Sequence, residues 1–266
     1  MLNIKLNEQP FETGAKTLFA LRDSVKPKAD VVILNGAAMN ADAPLKEGDE
    51  VSLIARGEQP SADELEALMA SRHTPGVHAK LKAATVGIAG LGGLGSAIAV
   101  ALARVGVGKL IIADFDVVEP SNLNRQQYFV DQIGMLKTDA LVSNLRKINP
   151  YVQVEAHTLK LTQDNILPMF GTVDVMIEAF DRADQKAMLL QAFTAQKPDV
   201  PFIGASGMAG FGSEETIGVK KMGRNIYIVG DLETAAQPGC GLMAPRVGIA
   251  AHMQANLALR LIAEGC

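Results

Sequence analysis

Val86-Gly87-Ile88-Ala89-Gly90-Leu91-Gly92-Gly93-Leu94-Gly95-Ser96 decides the fold of this chain. The run from Thr85 to Ala89 suits a buried strand, and apolar residues at helical spacing follow from about Leu94 to Val105. Between them Gly90, Gly92 and Gly95 fit G-x-G-x-x-G. In that pattern the first glycine allows a tight turn, the second lets backbone approach phosphate, and the third lets the helix lie close to the sheet. Free N–H groups at the helix start then face an anion. Asp114, 19 residues beyond Gly95, ends the next apolar run, where a carboxylate holds ribose hydroxyls. On its own the motif favours NAD, but it does not separate NAD from ATP.

Outward from this loop, strand and helix patterns alternate. Leu110–Ala113, Val152–Ala156, Val173–Ala179 and Pro201–Ala205 read as strands, and Lys137–Asn149 and Ala183–Gln196 as helices. The succession predicts an α/β fold with a Rossmann-like, doubly wound, mainly parallel sheet. Thr216–Lys221 and Asn225–Val229 read as an added hairpin about Gly223, and Pro245–Glu264 as a closing helix. Residues 1–57 look self-contained. Their strands (from Leu2, Phe11, Val31 and Val51) and one helix, Ala15–Val25, follow the order β-β-α-β-β of a small β-grasp, ubiquitin-like domain. Residues 58–80 form a linker and a helix opened by the capping pair Ser61 and Glu64, and 81–266 form the larger domain.

Composition narrows the classes further. The chain has 266 residues, 48% hydrophobic and 20% charged, which excludes wholesale disorder. A net charge of −4 gives no global electrostatic case for nucleic acid. The richest apolar stretch, Ala97–Ala103, is too short to span a bilayer, and the start of the chain lacks the apolar core of a signal peptide. Two cysteines, Cys240 and Cys266, fit a reducing, cytoplasmic location and exclude a four-cysteine zinc site.

The stretch Asp114-Phe115-Asp116-Val117-Val118-Glu119-Pro120-Ser121-Asn122-Leu123-Asn124-Arg125-Gln126 favours a triphosphate. It is a long polar loop where a dehydrogenase would move promptly to its crossover helix. It delivers Asn122 and Arg125, and then Lys137, toward the nucleotide end of the sheet. Two fixed cations suit a triphosphate attacked at its α-phosphorus. Asp181 follows the fourth strand and faces the same cleft, where a carboxylate suits Mg²⁺.

GLGGLGS, DFDVVEPSNLNRQ, GMLKTDAL, RKINP and EAFD together resemble the ThiF/MoeB/E1-like adenylyltransferases over about residues 72–263. The resemblance implies an ATP site of Gly90, Gly92, Gly93, Gly95, Asp114, Asp116, Asn122, Arg125 and Lys137. It implies that Asp114 holds the ribose and that Asp181 is the Mg²⁺-linked catalytic aspartate beside Arg125 and Lys137. Arg72 sits where the family carries an arginine that reaches an active site across a homodimer interface; it reads equally as a solvent-exposed helix-end arginine. The implied reaction is adenylation of the C-terminal glycine carboxylate of a ubiquitin-like protein.

ILNG and LKEGDEVSLIARG in the small domain resemble ThiS, the sulfur carrier of thiamine synthesis. A working carrier ends in free Gly-Gly, whereas this chain continues through Arg56-Gly57-Glu58-Gln59-Pro60. The domain therefore reads as a degenerate, fused relative, and a separate ThiS-like carrier as the partner. Alternatives are adenylation of another carboxylate, such as a modified tRNA nucleoside, and a nucleotide-binding scaffold without catalysis. Many relatives bind structural zinc through two C-x-x-C pairs; none is present, so zinc is not expected. Cys240 reads either as the nucleophile some relatives use after adenylation or as a small residue in a tight glycine-rich loop.

Overall fold

A computed structural model describes residues 1–265, so Cys266 lies outside the described residues. Two units make up the chain, Met1–Pro75 and one that begins at Gly76. The first contains β1 (Leu2–Leu6), β2 (Gln9–Thr13), α1 (Leu18–Val25), β3 (Val31–Leu34), β4 (Ala37–Ala38), β5 (Glu50–Ile54) and α2 (Ala62–Ala70). Its sheet runs β2-β1-β5-β3-β4, with β1 and β5 parallel at the centre, the β-grasp arrangement. Period-two alternation turns Ile4, Leu6, Val51 and Leu53 toward Leu18 and Leu21 of α1.

Helix α1 starts later than the apolar spacing suggests. Thr17 is held extended by a bridge to Pro44, and its hydroxyl accepts the Ala20 N–H, so Ala15 and Lys16 stay outside the helix. The chain after β5 folds back on its own unit. Ser61 caps α2, Asn7 Nδ2 donates to Glu64 Oε1 at 2.7 Å, and Lys26 Nζ lies 3.5 Å from Glu64 and 3.8 Å from Glu58.

The second unit comprises α3 (Val77–Ala83), β6 (Thr85–Ala89), α4 (Gly93–Arg104), β7 (Lys109–Asp114), α5 (Lys137–Ile148), β8 (Gln153–Thr158), α6 (Gln163–Phe170), β9 (Val175–Glu178), α7 (Ala183–Gln196), β10 (Phe202–Ala205), β11 (Gly218–Lys221), β12 (Ile226–Gly230) and α8 (Ala244–Glu264). The sheet order is β11-β12-β10-β9-β6-β7-β8, and every pairing except β11 with β12 is parallel. Val86, Ile88, Leu110, Ile112, Val175 and Ile177 face one core with α4, α5 and α8. Ala89, Ile111, Ala113 and Met176 face the other with α6 and α7. Helices thus cover both faces, as a parallel sheet requires.

Three features depart from the sequence pattern. The hairpin is no appendage: β12 pairs parallel with β10 from Phe202↔Ile226 to Ala205↔Val229 and extends the main sheet, leaving β11 at the edge. Helix α6, in a stretch the sequence pattern leaves unassigned, contains Pro168; Thr162 and Asn165 form a capping box and Ile166, Met169 and Phe170 bury its apolar face. Helix α3 has seven residues, of which only His78 and Leu81 are buried, too few to show a period. No helix among the described residues is long and apolar enough to cross a membrane.

Candidate active site

The chain reverses direction across the sheet between β6 and β9: β7 and β8 lie to one side of β6, and β9, β10 and β12 to the other. Ligands of open parallel sheets bind beyond the strand ends at such a switch point. The glycine loop leaves β6 there. Gly90 has φ +92°, and a Cβ on it would come 2.8 Å from the Ala179 carbonyl oxygen. Its N–H donates to Ala113 O at 2.9 Å, and Ala179 N–H donates to Ala89 O at 2.8 Å. The ends of β6, β7 and β9 are thereby locked together, and the loop carrying Asp181 starts against the glycine loop.

Gly92 precedes α4 with no side-chain cap, leaving first-turn N–H groups open to an anion. Beside it Gln126 is 8% exposed, and its Oε1 has no hydrogen-bond partner among the described residues. A Cβ on Gly92 would come no nearer than 3.8 Å to Gln126 Nε2. Ser96, fully buried in α4, joins the two loops: its hydroxyl donates to Gly92 O at 2.6 Å and accepts Gln127 N–H at 3.1 Å.

Asp114 braces this loop. Its carboxylate accepts Leu91 N–H at 2.6 Å and Asp116 N–H at 2.8 Å. A carboxylate has about four acceptor positions, so about two remain for hydroxyls. Lys137, 7% exposed at the start of α5, pairs through Nζ with Asp116 Oδ2 at 2.8 Å, and its N–H donates to Asp116 O at 2.9 Å. Asn122 is buried and accepts Glu119 N–H through Oδ1 at 3.1 Å, shaping the 3-10 turn over Pro120–Asn124. The Arg125 stem lies along Gly93, where a Cβ would meet its Cγ at 3.3 Å, and Nη1 donates to Asn124 Oδ1 at 2.8 Å. Tyr128 ties both loops through its hydroxyl, 2.8 Å from Leu91 O. Burial first, then Asp114 and Asp116, push its phenol above the usual tyrosine range.

Asp181 is exposed, and its carboxylate makes no hydrogen bond among the described residues. Three residues earlier, Glu178 closes β9, 2% exposed and paired with Lys186 Nζ at 2.9 Å. Burial pushes the Glu178 carboxyl up, and Lys186 and the Phe180 and Ala205 amides pull it down.

Beyond β10, Arg246 in the first turn of α8 donates to Gly212 O and Ser213 O, each at 2.7 Å, and pairs with Asp231 at 2.7 Å. Burial raises the Asp231 carboxyl, but donors from Thr234, Glu233 and Arg246 outweigh it and hold it well below the usual carboxylate range. Cys240 is free and half-buried in a turn closed by Gln237, and Gly210 N–H donates to Gly241 O at 2.8 Å. Asn124 Nδ2 donates to Leu242 O at 3.1 Å, so the Cys240 segment borders the polar loop.

Gly90, Gly92, Gly93, Gly95, Asp114, Asp116, Asn122, Arg125 and Lys137 therefore gather at the switch point, with the Asp181 loop alongside. Arg72 belongs to the first unit, 83% exposed, with Nη2 3.7 Å from Glu8 Oε1. Sequence reasoning assigned no role to Ser96, Gln126, Tyr128, the Glu178–Lys186 pair or the Asp231–Arg246 pair. Ser96, Gln126 and Glu178 stood inside the quoted motifs; Asp231 and Arg246 carry no local pattern.

The sequence profile of the ThiF family matches residues 66–265, and that of ThiS-like ubiquitin matches residues 2–57. The chain is 30% identical over 200 residues to the adenylyltransferase and sulfurtransferase uba4 of Pyricularia oryzae, covering 70% of this chain and 40% of that protein. It is 32% identical over 213 residues to UBA4 of Kluyveromyces lactis, covering 77% and 46%. It thus spans less than half the length of these curated relatives. Among solved structures, E. coli tRNA N6-threonylcarbamoyladenosine dehydratase, TcdA, in complex with AMP superposes with TM-score 0.67 at 22% identity, covering 73% of this chain and 92% of that one. E. coli MccB with succinimide superposes with TM-score 0.55 at 25% identity, covering 71% and 58%.

Proposed function

Since the chain belongs to the ThiF family and carries a ThiS-like ubiquitin unit ahead of that domain, we propose that it is an ATP-dependent adenylyltransferase acting on the C-terminal glycine carboxylate of a separate ThiS-type sulfur carrier. The observation that carries this reading is the switch-point cluster: the uncapped N-terminus of α4 with the Arg125 stem along Gly93, Lys137 paired with Asp116, and the loop of Ala179 and Phe180 that leads to Asp181 against Gly90. The buried, unpartnered Gln126 Oε1 next to Gly92 fits a site for a polar ligand such as ATP.

A carrier carboxylate oxygen attacks the α-phosphorus of ATP. The bond from that phosphorus to the bridging oxygen of the β-phosphate breaks, and pyrophosphate leaves, giving an acyl-adenylate. The α4 N–H groups hold phosphate oxygens, and Arg125 and Lys137 balance the charge as the leaving group departs. Lys137 has three donors, so its bond to Asp116 leaves two for phosphate. Asp114 takes the ribose with its remaining acceptor positions. The exposed Asp181 carboxylate would hold Mg²⁺, which takes one or two carboxylates plus substrate phosphates; the ion would supply neutralisation of phosphate charge.

The first unit cannot serve as the carrier in this chain, because the segment after β5 is pinned at Glu58 and Glu64 rather than ending in a free glycine. Fusion to a ThiS-like unit supports thiamine sulfur transfer as the pathway. By resemblance to the family, the enzyme acts as a homodimer in which exposed Arg72 serves the partner's site, and Cys240, bordering the cleft, is its candidate thiol. A second reading, adenylation of a carboxylate on a modified tRNA nucleoside, draws on the TcdA likeness in fold; the net charge of −4 counts against it. The test is mass spectrometry of a ThiS-type carrier incubated with this protein, ATP and Mg²⁺. A carrier mass raised by one adenylate supports the proposal; an unmodified carrier with ATP bound to the protein refutes the carrier assignment.

A further inference from the structure

Under the loop that carries Asp181 lies a charged pair that the chemistry above leaves unused. The Glu178 carboxylate accepts Lys186 Nζ at 2.9 and 3.1 Å, Phe180 N–H at 2.6 Å and Ala205 N–H at 3.4 Å. Lys186 Nζ also donates to Ala205 O at 2.9 Å. From α8 the fully buried Gln254 donates to Glu178 O at 3.1 Å and Ile203 O at 3.4 Å. The knot joins the ends of β9 and β10 to α7 and α8. As a source of stability it is a poor choice, because apolar residues of similar volume hold as well as a buried ion pair. Fixed geometry is what it supplies: Glu178 grips the amide of Phe180, the residue directly before Asp181.

We infer that the buried Glu178–Lys186 pair positions the Asp181 carboxylate for its work on the metal-bound phosphates of ATP. This rests on the role proposed above for Asp181. Glu178 and Lys186 touch no substrate; they act through the loop.

Calorimetric titration with ATP, in Mg²⁺ and separately in EDTA, tests this in wild type, Asp181→Ala, Glu178→Gln and the double variant. A glutamine at 178 turns one acceptor oxygen into a donor, which meets Lys186, Phe180 or Ala205 donors in either orientation. Asp181→Ala should abolish the affinity that Mg²⁺ adds. Glu178→Gln should weaken ATP about tenfold in Mg²⁺ and less than about twofold in EDTA, with no further loss once Asp181 is gone. If Glu178→Gln fails to fold, Glu178→Gln/Lys186→Met, which removes the unpaired charge, replaces it in the same cycle. Equal losses in Mg²⁺ and EDTA, or no loss in Mg²⁺ while Asp181→Ala loses the effect, overturn the positioning role alone. If Asp181→Ala keeps the full Mg²⁺ effect, the reading of Asp181 fails and the inference falls with it.

Discussion

Gly95→Ala should damage nucleotide binding without removing any side chain. A Cβ at Gly95, in the first turn of α4, falls onto the Gly90 carbonyl oxygen and lies 3.3 Å from Ala179 Cβ. Gly90 has nowhere to go. Its amide is bonded to Ala113 O, its φ is +92°, and Ala179 backs it. Helix α4 must therefore retreat by roughly 1 Å, against a core in which Ile98 and Leu102 are fully buried. Overpacking costs about 1–3 kcal/mol, and replacing a helical glycine returns up to about 1 kcal/mol. With the full return, the net loss in stability is about 0–2 kcal/mol, read as a urea midpoint unchanged or lowered. The same retreat withdraws the α4 N–H groups from the phosphates. Losing two such bonds to charged phosphate is worth about 3 kcal/mol or more, an ATP affinity at least about 100-fold weaker by calorimetry. Gly248→Ala is the control: it lies in α8, its Cβ would meet nothing within 4 Å beyond its chain neighbours and its own helix backbone among the described residues, and it should leave ATP affinity unchanged with a gain of up to about 1 kcal/mol. A folded Gly95→Ala protein that binds ATP as wild type does would refute the close approach of helix and loop.

Lys137→Met should leave the unfolding temperature nearly unchanged, because Asp116 is half exposed and water solvates it, while ATP affinity falls about tenfold or more in titration. Asp231→Asn, which strips the buried Arg246 of its counter-charge, should cost about 3 kcal/mol in urea unfolding. The Asp231 carboxyl is depressed in the folded state, so its contribution is complete above the ordinary aspartate pKa and lost as pH falls toward the folded value. Wild-type and Asp231→Asn melting temperatures should therefore differ by a constant amount at neutral pH and converge below about pH 4. Tyr128→Phe removes one bond to Leu91 O and should cost about 1 kcal/mol in the same unfolding assay.

Local pattern made most of the fold legible. Strand β6 and helix α7 fall where the sequence reading puts them: β6 is a continuous apolar run buried from Val86 to Ala89, and α7 buries Leu189 and Phe193, one helical turn apart. The glycine loop was legible because its constraints are steric and sit within six residues. Long-range partners were not: Glu178 meets Lys186 across a strand end and a helix, and Asp231 meets Arg246 from separate segments. Helix α6 went unread because its eight residues around Pro168 are too few to show a period; capping and burial of Phe170 hold it despite the missing backbone donor. The start of α1 misled because a bridge from Thr17 to Pro44, distant in sequence, sets it. Lys137 and Asp114 were identified as ligand-facing groups, but their bonds to Asp116 and Leu91 show that both also brace the loops.

ATP–pyrophosphate exchange tests the central claim most directly, using this protein with Mg²⁺ and a separate ThiS-type carrier ending in Gly-Gly, alongside Asp181→Ala. The account requires exchange that depends on the carrier and collapses in the variant. Exchange unaffected by Asp181→Ala, or none at all while ATP binds, would contradict it.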